Sequence, residues 1–115
     1  MFDYTLHATS GGLVLALSGD LDTHAAQAFD NAMEAHIGRI ATDLTIDLAQ
    51  LTYLNSTGIR SFIRLHKLLK TNGRNMTFRG ASAKILRIFH YCGLDAFFAF
   101  EPEAEPGVLL AVQEG

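Results

Sequence analysis

Apolar and polar residues alternate at the start of the chain, through Phe2, Tyr4 and Leu6, before Ser10-Gly11-Gly12 and the apolar run Leu13 to Leu17. Period-two alternation, a glycine turn and a second apolar run predict a β-hairpin. Past Gly19 the period changes. Ala25, Phe29, Ala32, Met33, His36, Ile37 and Ile40 recur at helical spacing and predict an amphipathic helix, with Asp22 or Thr23 placed to cap its start. Asp43 to Leu48 returns to alternation through Leu44, Ile46 and Leu48, the pattern of a half-buried strand. After Asn55-Ser56-Thr57-Gly58, a second helix puts Ile59, Phe62, Ile63, His66 and Leu69 on one face and stops at Asn72-Gly73. Asn75 to Arg79 predicts a short strand carrying Met76 and Phe78. Ala83 to Cys92 predicts a third helix that buries Ile85, Ile88, Phe89 and Cys92 and ends at Gly93. Phe97, Phe98 and Phe100 predict a last strand, and Pro106 opens a terminal helix burying Leu109, Leu110 and Val112. The order ββαβαβαβα is that of an α/β chain, whose expected form is a mixed sheet with helices packed on at least one face.

A length of 115 residues fits one domain, 1-115, and the linker-like stretch Glu101 to Pro106 is too short to divide it. With 49% hydrophobic and 18% charged residues, the composition supports a buried core and excludes a disordered chain. The runs Leu13 to Leu17 and Val108 to Val112 fall far short of the roughly 20 apolar residues that span a bilayer, so no membrane span is expected. Cys92 is the only cysteine, which excludes an intrachain disulfide, a cysteine zinc cluster and a CxxC redox pair. With no charged and apolar leader at the N-terminus, the expected location is cytoplasmic.

Charge is segregated along the chain. Residues 1–47 set Arg39 against seven carboxylates, whereas residues 48–94 hold eight Lys and Arg and no carboxylate. The tail from Asp95 onward adds five carboxylates and brings the net charge to -3. Two readings stand level: neutralisation across the folded surface, or a basic face for an acidic partner or a phosphate. The basic residues are not interleaved with stacking aromatics and no nucleic-acid-binding signature is present, so nucleic acid is not an expected partner.

Catalytic patterns fail one after another. His7, His24, His36, His66 and His90 offer no pair at i, i+4 and no HExxH, so no metal site is expected, and His36 and His66 read as hydrogen-bonded, partly buried imidazoles. Ser56 has Leu54 and Gly58 where a nucleophile elbow needs two glycines. Neither a P-loop nor GxGxxG is present, so no cofactor is expected. Asp20 and Asp22 fit a helix cap better than a cation site.

The segment Tyr53 to Ile59 remains, read as a loop between a buried strand and a helix. One Ser, Thr or Asn suffices as an N-cap, yet Asn55, Ser56 and Thr57 stand in a row, and Gly58, Ile59 and Arg60 exclude a capping box. A hydroxyl at a helix N-terminus is also well placed to carry a phosphate, and Arg60 lies four residues after Ser56. Beyond it Arg64, Lys67 and Lys70 continue one basic stripe.

Two motifs carry a resemblance that covers nearly the whole chain in element order and length. Gly19-Asp20-Leu21-Asp22 is similar to the Gly-(Glu/Asp)-hydrophobic-Asp segment, and Leu51 to Ile59 to the strand-loop-helix segment with Asp-Ser-(Ser/Thr)-Gly-hydrophobic, of the STAS-domain family. Within it the chain resembles the single-domain bacterial anti-sigma-factor antagonists. The resemblance implies a STAS-like mixed sheet and a binding module that is not itself an enzyme. Unphosphorylated, it would sequester a kinase-type anti-sigma factor; phosphorylation at Ser56 would inactivate it and a serine phosphatase would restore it. Asp20, Asp22, Asn55, Ser56, Thr57, Gly58, Arg60 and Arg64 would then form the partner-binding surface. Asn55 stands where the family carries Asp, which removes a negative charge and keeps the side chain's size. The alternative is a non-phosphorylated STAS subunit of a transport or signalling assembly, for example in lipid transport, with Ser56 or Thr57 merely capping the helix. Nucleotide hydrolysis at the Asp20, Asp22 and Ser56 corner has less support, since it lacks a phosphate-cradling loop and a partnered base.

Overall fold

The computed structural model describes residues 1–101. Strands β1 (Phe2–Thr9) and β2 (Gly12–Leu21) pair antiparallel from Phe2 opposite Gly19 to Thr9 opposite Gly12. Ser10 and Gly11 make the turn, Gly12 opens β2 at φ 129°, and the Thr9 hydroxyl accepts from Gly11 N–H at 3.2 Å. Helix α1 (Thr23–His36) leads to β3 (Leu44–Leu54), α2 (Ser56–Thr71) to β4 (Met76–Arg79), and α3 (Ala83–Tyr91) to β5 (Ala99–Phe100). The sheet order is β1-β2-β3-β4-β5, and every pair after the hairpin is parallel. This is the mixed α/β sheet expected from the alternation.

One sheet face meets all three helices in a single core. Leu15, Leu17 and Leu21 of β2, Ile46 and Leu48 of β3 and Phe78 of β4 pack against Phe29 and Met33, Phe62 and Leu65, and Ile85 and Phe89. Aromatic rings run through it, with centroids 5.9 Å apart for Phe2–Phe29, 6.2 Å for Phe29–Phe62, 5.0 Å for Phe62–Phe78 and 5.0 Å for Phe78–Phe98. Each such edge-to-face or stacked pair adds about 0.5–1.5 kcal/mol beyond its buried area. The opposite face is small and polar: Thr5, Ala16, Asp47 and Arg79 lie in one row across four strands, closed by an Arg79–Asp47 ion pair at 3.3 Å.

Several boundaries differ from the sequence expectation. The second strand runs on to Leu21 and the third to Leu54, so Tyr53 and Leu54 are strand and not loop. Alternation hides this because β3 carries two extra residues. Ala16 and Ser18 pair with Asp47 and Gln50, and Gly19 and Asp20 pair with Leu51 and Tyr53. Each bulge shifts the inward positions by one, which spaces Leu48, Leu51 and Leu54 by three. The first helix stops at His36 and tightens into a 3-10 turn, Ile37–Arg39, where Gly38 weakens the helix. Cys92, expected on the buried side of α3, is exposed: it is the C-cap, after which Gly93, at φ 71°, turns the chain away. The last strand keeps only Ala99 and Phe100, with Phe97 in the turn before it. The terminal helix expected after Pro106 lies outside the described residues.

Candidate functional site

The C-terminal ends of β2 and β3 lie side by side, with Asp20 opposite Tyr53 and Leu21 opposite Leu54. The helices that follow therefore start next to each other. In open α/β sheets ligands are commonly bound at this edge. Asp22 caps α1, its Oδ1 accepting from Ala25 N–H at 2.9 Å. Asn55 caps α2, its Oδ1 accepting from Gly58 N–H at 3.0 Å. With Oδ1 committed, the Asn55 amide nitrogen points to Thr23 Oγ1, 3.2 Å away, and Thr23 Oγ1 lies 3.2 Å from Thr57 Oγ1. Asn55, Thr23 and Thr57 thus tie the two helix starts together.

Gly58 allows this approach. A Cβ there would stand 2.6 Å from the Leu21 carbonyl oxygen and 2.7 Å from Leu54 Cδ1, so only glycine lets α2 enter under the end of β2. Ser56 occupies the first turn of α2, exposed, and its hydroxyl makes no side-chain hydrogen bond among the described residues. Three hydrogen-bonding residues in a row are thereby resolved: Asn55 is the cap, Thr57 joins the helices, and Ser56 does neither. No acidic residue stands in the first turn of α2, so the partial positive charge of its N-terminus is unopposed on its own helix.

The site residues foreseen from the sequence fall into two groups. Asp20, Asp22, Asn55, Ser56, Thr57 and Gly58 come together at this edge, and Arg60 joins them by donating to Thr57 Oγ1 at 3.4 Å. Arg64 does not: it pairs with Glu34 of α1 one turn further down. Arg60, Arg64 and Lys67 line an open groove of about 550 Å³ floored by Ile63 and Leu68. Lys70 leaves the expected stripe and donates to Asn75 Oδ1 at 2.7 Å. His66, foreseen as hydrogen-bonded, keeps a buried Nδ1 without a partner among the described residues, its ring edge-on to Phe97 and Phe98. Burial, reinforced by the neighbouring Lys70 ammonium, holds its pKa below the ordinary value.

Other residues of this edge were not among the expected site residues. Thr52 donates to Asp20 Oδ1 at 2.9 Å, Lys84 Nζ reaches the Thr52 carbonyl at 3.2 Å, and Tyr53 leaves 43% of its surface exposed beside Asn55. Parallel pairing of the two strands, had the bulges been foreseen, would have found Thr52 and Tyr53. Nothing in the sequence pointed to Lys84. Among the described residues no three His, Cys, Asp or Glu side chains gather as a metal site, and no helix is long and apolar enough to cross a membrane.

Comparisons with known proteins agree with this architecture. The anti-sigma-B factor antagonist of Bacillus subtilis (strain 168) is 25% identical over 92 residues, 80% of this chain and 84% of the relative. An anti-sigma factor antagonist from Mycobacterium paratuberculosis is 26% identical and superposes with a TM-score of 0.72, covering 91% of this chain and 89% of that one. SpoIIAA in its unphosphorylated form has a TM-score of 0.73 at 19% identity, over 90% of this chain and 91% of that one. A Bacillus SpoIIAA in the phosphorylated form has a TM-score of 0.66 at 20% identity, over 90% of this chain and 95% of that one. Both SpoIIAA forms share the fold of this chain. The model of the family described as "Mlab, STAS domain" matches residues 4–102, and the chain belongs to the STAS-domain family.

Proposed function

We propose that this protein is an anti-sigma-factor antagonist, a binding regulator and not an enzyme, whose affinity for a kinase-type anti-sigma factor is switched by phosphorylation of Ser56. The observation that carries the reading is the exposed Ser56 hydroxyl, which has no structural duty because Asn55 caps the helix. Such a hydroxyl can enter a kinase site without melting α2. Its oxygen would attack the terminal phosphorus of a nucleoside triphosphate held by the partner, lose its proton and release the diphosphate. The new group adds about -1.5 to -2 charge at neutral pH. The helix N-terminus and Arg60 would stabilise it in the free protein, while at a packed interface it meets repulsion and a desolvation cost. A serine phosphatase would reverse the switch. Names of the relatives support the partner class, and a SpoIIAA solved in both states supports a fold that accommodates the phosphate. The reading places the protein in the cytoplasm, where sigma factors work.

A second reading draws on Asn55. A neutral amide in place of the family's carboxylate, locked to Thr23, suits a subunit held permanently in a transport or signalling assembly. One experiment separates the two. The protein is incubated with its cognate kinase and ATP, and the modified residue is mapped by mass spectrometry. Phosphate on Ser56 is the expected result; phosphate on Thr57 alone, or none, sinks the switch.

A further inference from the structure

At the sheet edge opposite Ser56, where β3, β4 and β5 begin, a cavity of about 520 Å³ opens between the last turns of α2 and the strand starts. That volume lies within the range of small-molecule pockets. Asp43, His66, Lys70, Asn75, Met76 and Phe97 line it. We propose that this cavity binds a small aromatic carboxylate, its carboxyl group on Lys70 and its ring against Phe97. The site is separate from the proposed switch and does not depend on it.

Its polar wall is fixed in place. Asp43 Oδ1 accepts from Asn75 N–H at 2.8 Å, and Asn75 Oδ1 accepts from Lys70 Nζ at 2.7 Å. The ammonium has three donors and spends one on Asn75, which leaves two for a ligand. A carboxylate is the acceptor that makes a short, charge-assisted bond with them. The apolar wall is incomplete. Phe97 is 46% exposed, its ring 5.1 Å from the His66 imidazole at 64°, so a planar body can extend this edge-to-face array. The Asp43 carboxylate on the same wall argues for one negative charge on the ligand and against a phosphate dianion. The groups facing His66 here are Lys70 on its own helix and Asp43 before β3, and a bound carboxylate would offset the Lys70 charge that disfavours its imidazolium.

The test is an NMR titration of the full chain, labelled with nitrogen-15, with sodium benzoate and in parallel with benzyl alcohol. Expected are saturating amide shifts confined to residues 43, 66, 70, 75 and 97, together with a rise in the His66 pKa. Lys70→Ala and Lys70→Gln should each weaken benzoate by about tenfold or more, the loss of one charge-assisted contact, with an unchanged melting temperature. Lys67→Ala, in the other groove, should bind as the wild type does. Non-saturating or scattered shifts, equal binding of benzyl alcohol, or wild-type affinity in Lys70→Gln would overturn the proposal.

Discussion

Asn55 makes two different contacts with one amide. Its oxygen caps α2 and its nitrogen donates to Thr23, a bond that no ionised Asp can make. Asn55→Asp should therefore keep the cap, gain from the helix dipole and reverse the tie to α1, the Thr23 hydroxyl then donating to the carboxylate, leaving stability within about 1 kcal/mol of the wild type. Asn55→Ala loses both and should cost about 0.5–2 kcal/mol, read as a lower urea midpoint at unchanged slope. Gly58→Ala works through sterics. A methyl 2.6 Å from the Leu21 carbonyl forces α2 outward, and overpacking of this kind costs about 1–3 kcal/mol, more than the roughly 1 kcal/mol that alanine gains as a helix former. Its melting temperature should fall while Gly38→Ala, with nothing within 4 Å of the new methyl, stays near the wild type or rises. The sequence displays the motif that contains these residues but not the division of labour within it. Asn, Ser and Thr all qualify as caps, and only coordinates show which oxygen faces the free N–H.

Elements were legible wherever one period held. Ile59, Phe62 and Leu69 on α2, or Ile46 and Phe78 in their strands, needed no more than the spacing of apolar residues. Legibility failed where a bulge changed the phase of β3, where Gly38 tightened the end of α1, and where a helix end exposed Cys92. Periodicity also placed His66 on the apolar stripe of α2 without revealing that its Nδ1 is left unpaired. A group whose folded pKa is depressed binds fewer protons folded than unfolded, so stability rises with pH across the window between the two values. The contribution of His66 is thus full above its unfolded value of 6.5 and is lost as pH falls from there through the lower folded value. Melting temperature measured from about pH 7.5 down to about pH 5.5, the range in which an imidazole titrates, should drop in the wild type. In His66→Phe, which keeps a ring against Phe97 and Phe98, the drop should be smaller, and an equal drop in both proteins would assign the effect to other histidines.

Among the described residues the segregated charges meet at a few points. Glu34 and Arg64 join α1 to α2, and Asp47 and Arg79 pair on the open sheet face, each exposed enough to contribute little, about 0–1 kcal/mol. Arg60 and Lys67 line the groove that runs along α2 away from Ser56, and under the proposed function the cationic field there would serve association more than folding. The fold places Ser56 where its chemistry and its structural contribution can be measured apart. Because Asn55 holds the cap, Ser56→Ala removes no helix bond and introduces a better helix former, so its melting temperature should match or exceed the wild type. Ser56→Asp puts a carboxylate in the first turn, worth about 0.3–1 kcal/mol from the dipole, and should melt no lower. Partner binding then diverges. Under the switch, Ser56→Ala binds the anti-sigma factor as tightly as the wild type and resists the kinase, whereas Ser56→Asp loses at least about tenfold in affinity, or 1.4 kcal/mol. The enzymatically phosphorylated protein, carrying about twice the charge of Asp, should lose more. Equal affinity of the phosphorylated and unphosphorylated proteins, measured by titration calorimetry at one salt concentration, would leave Ser56 with no regulatory role whatever its modification state.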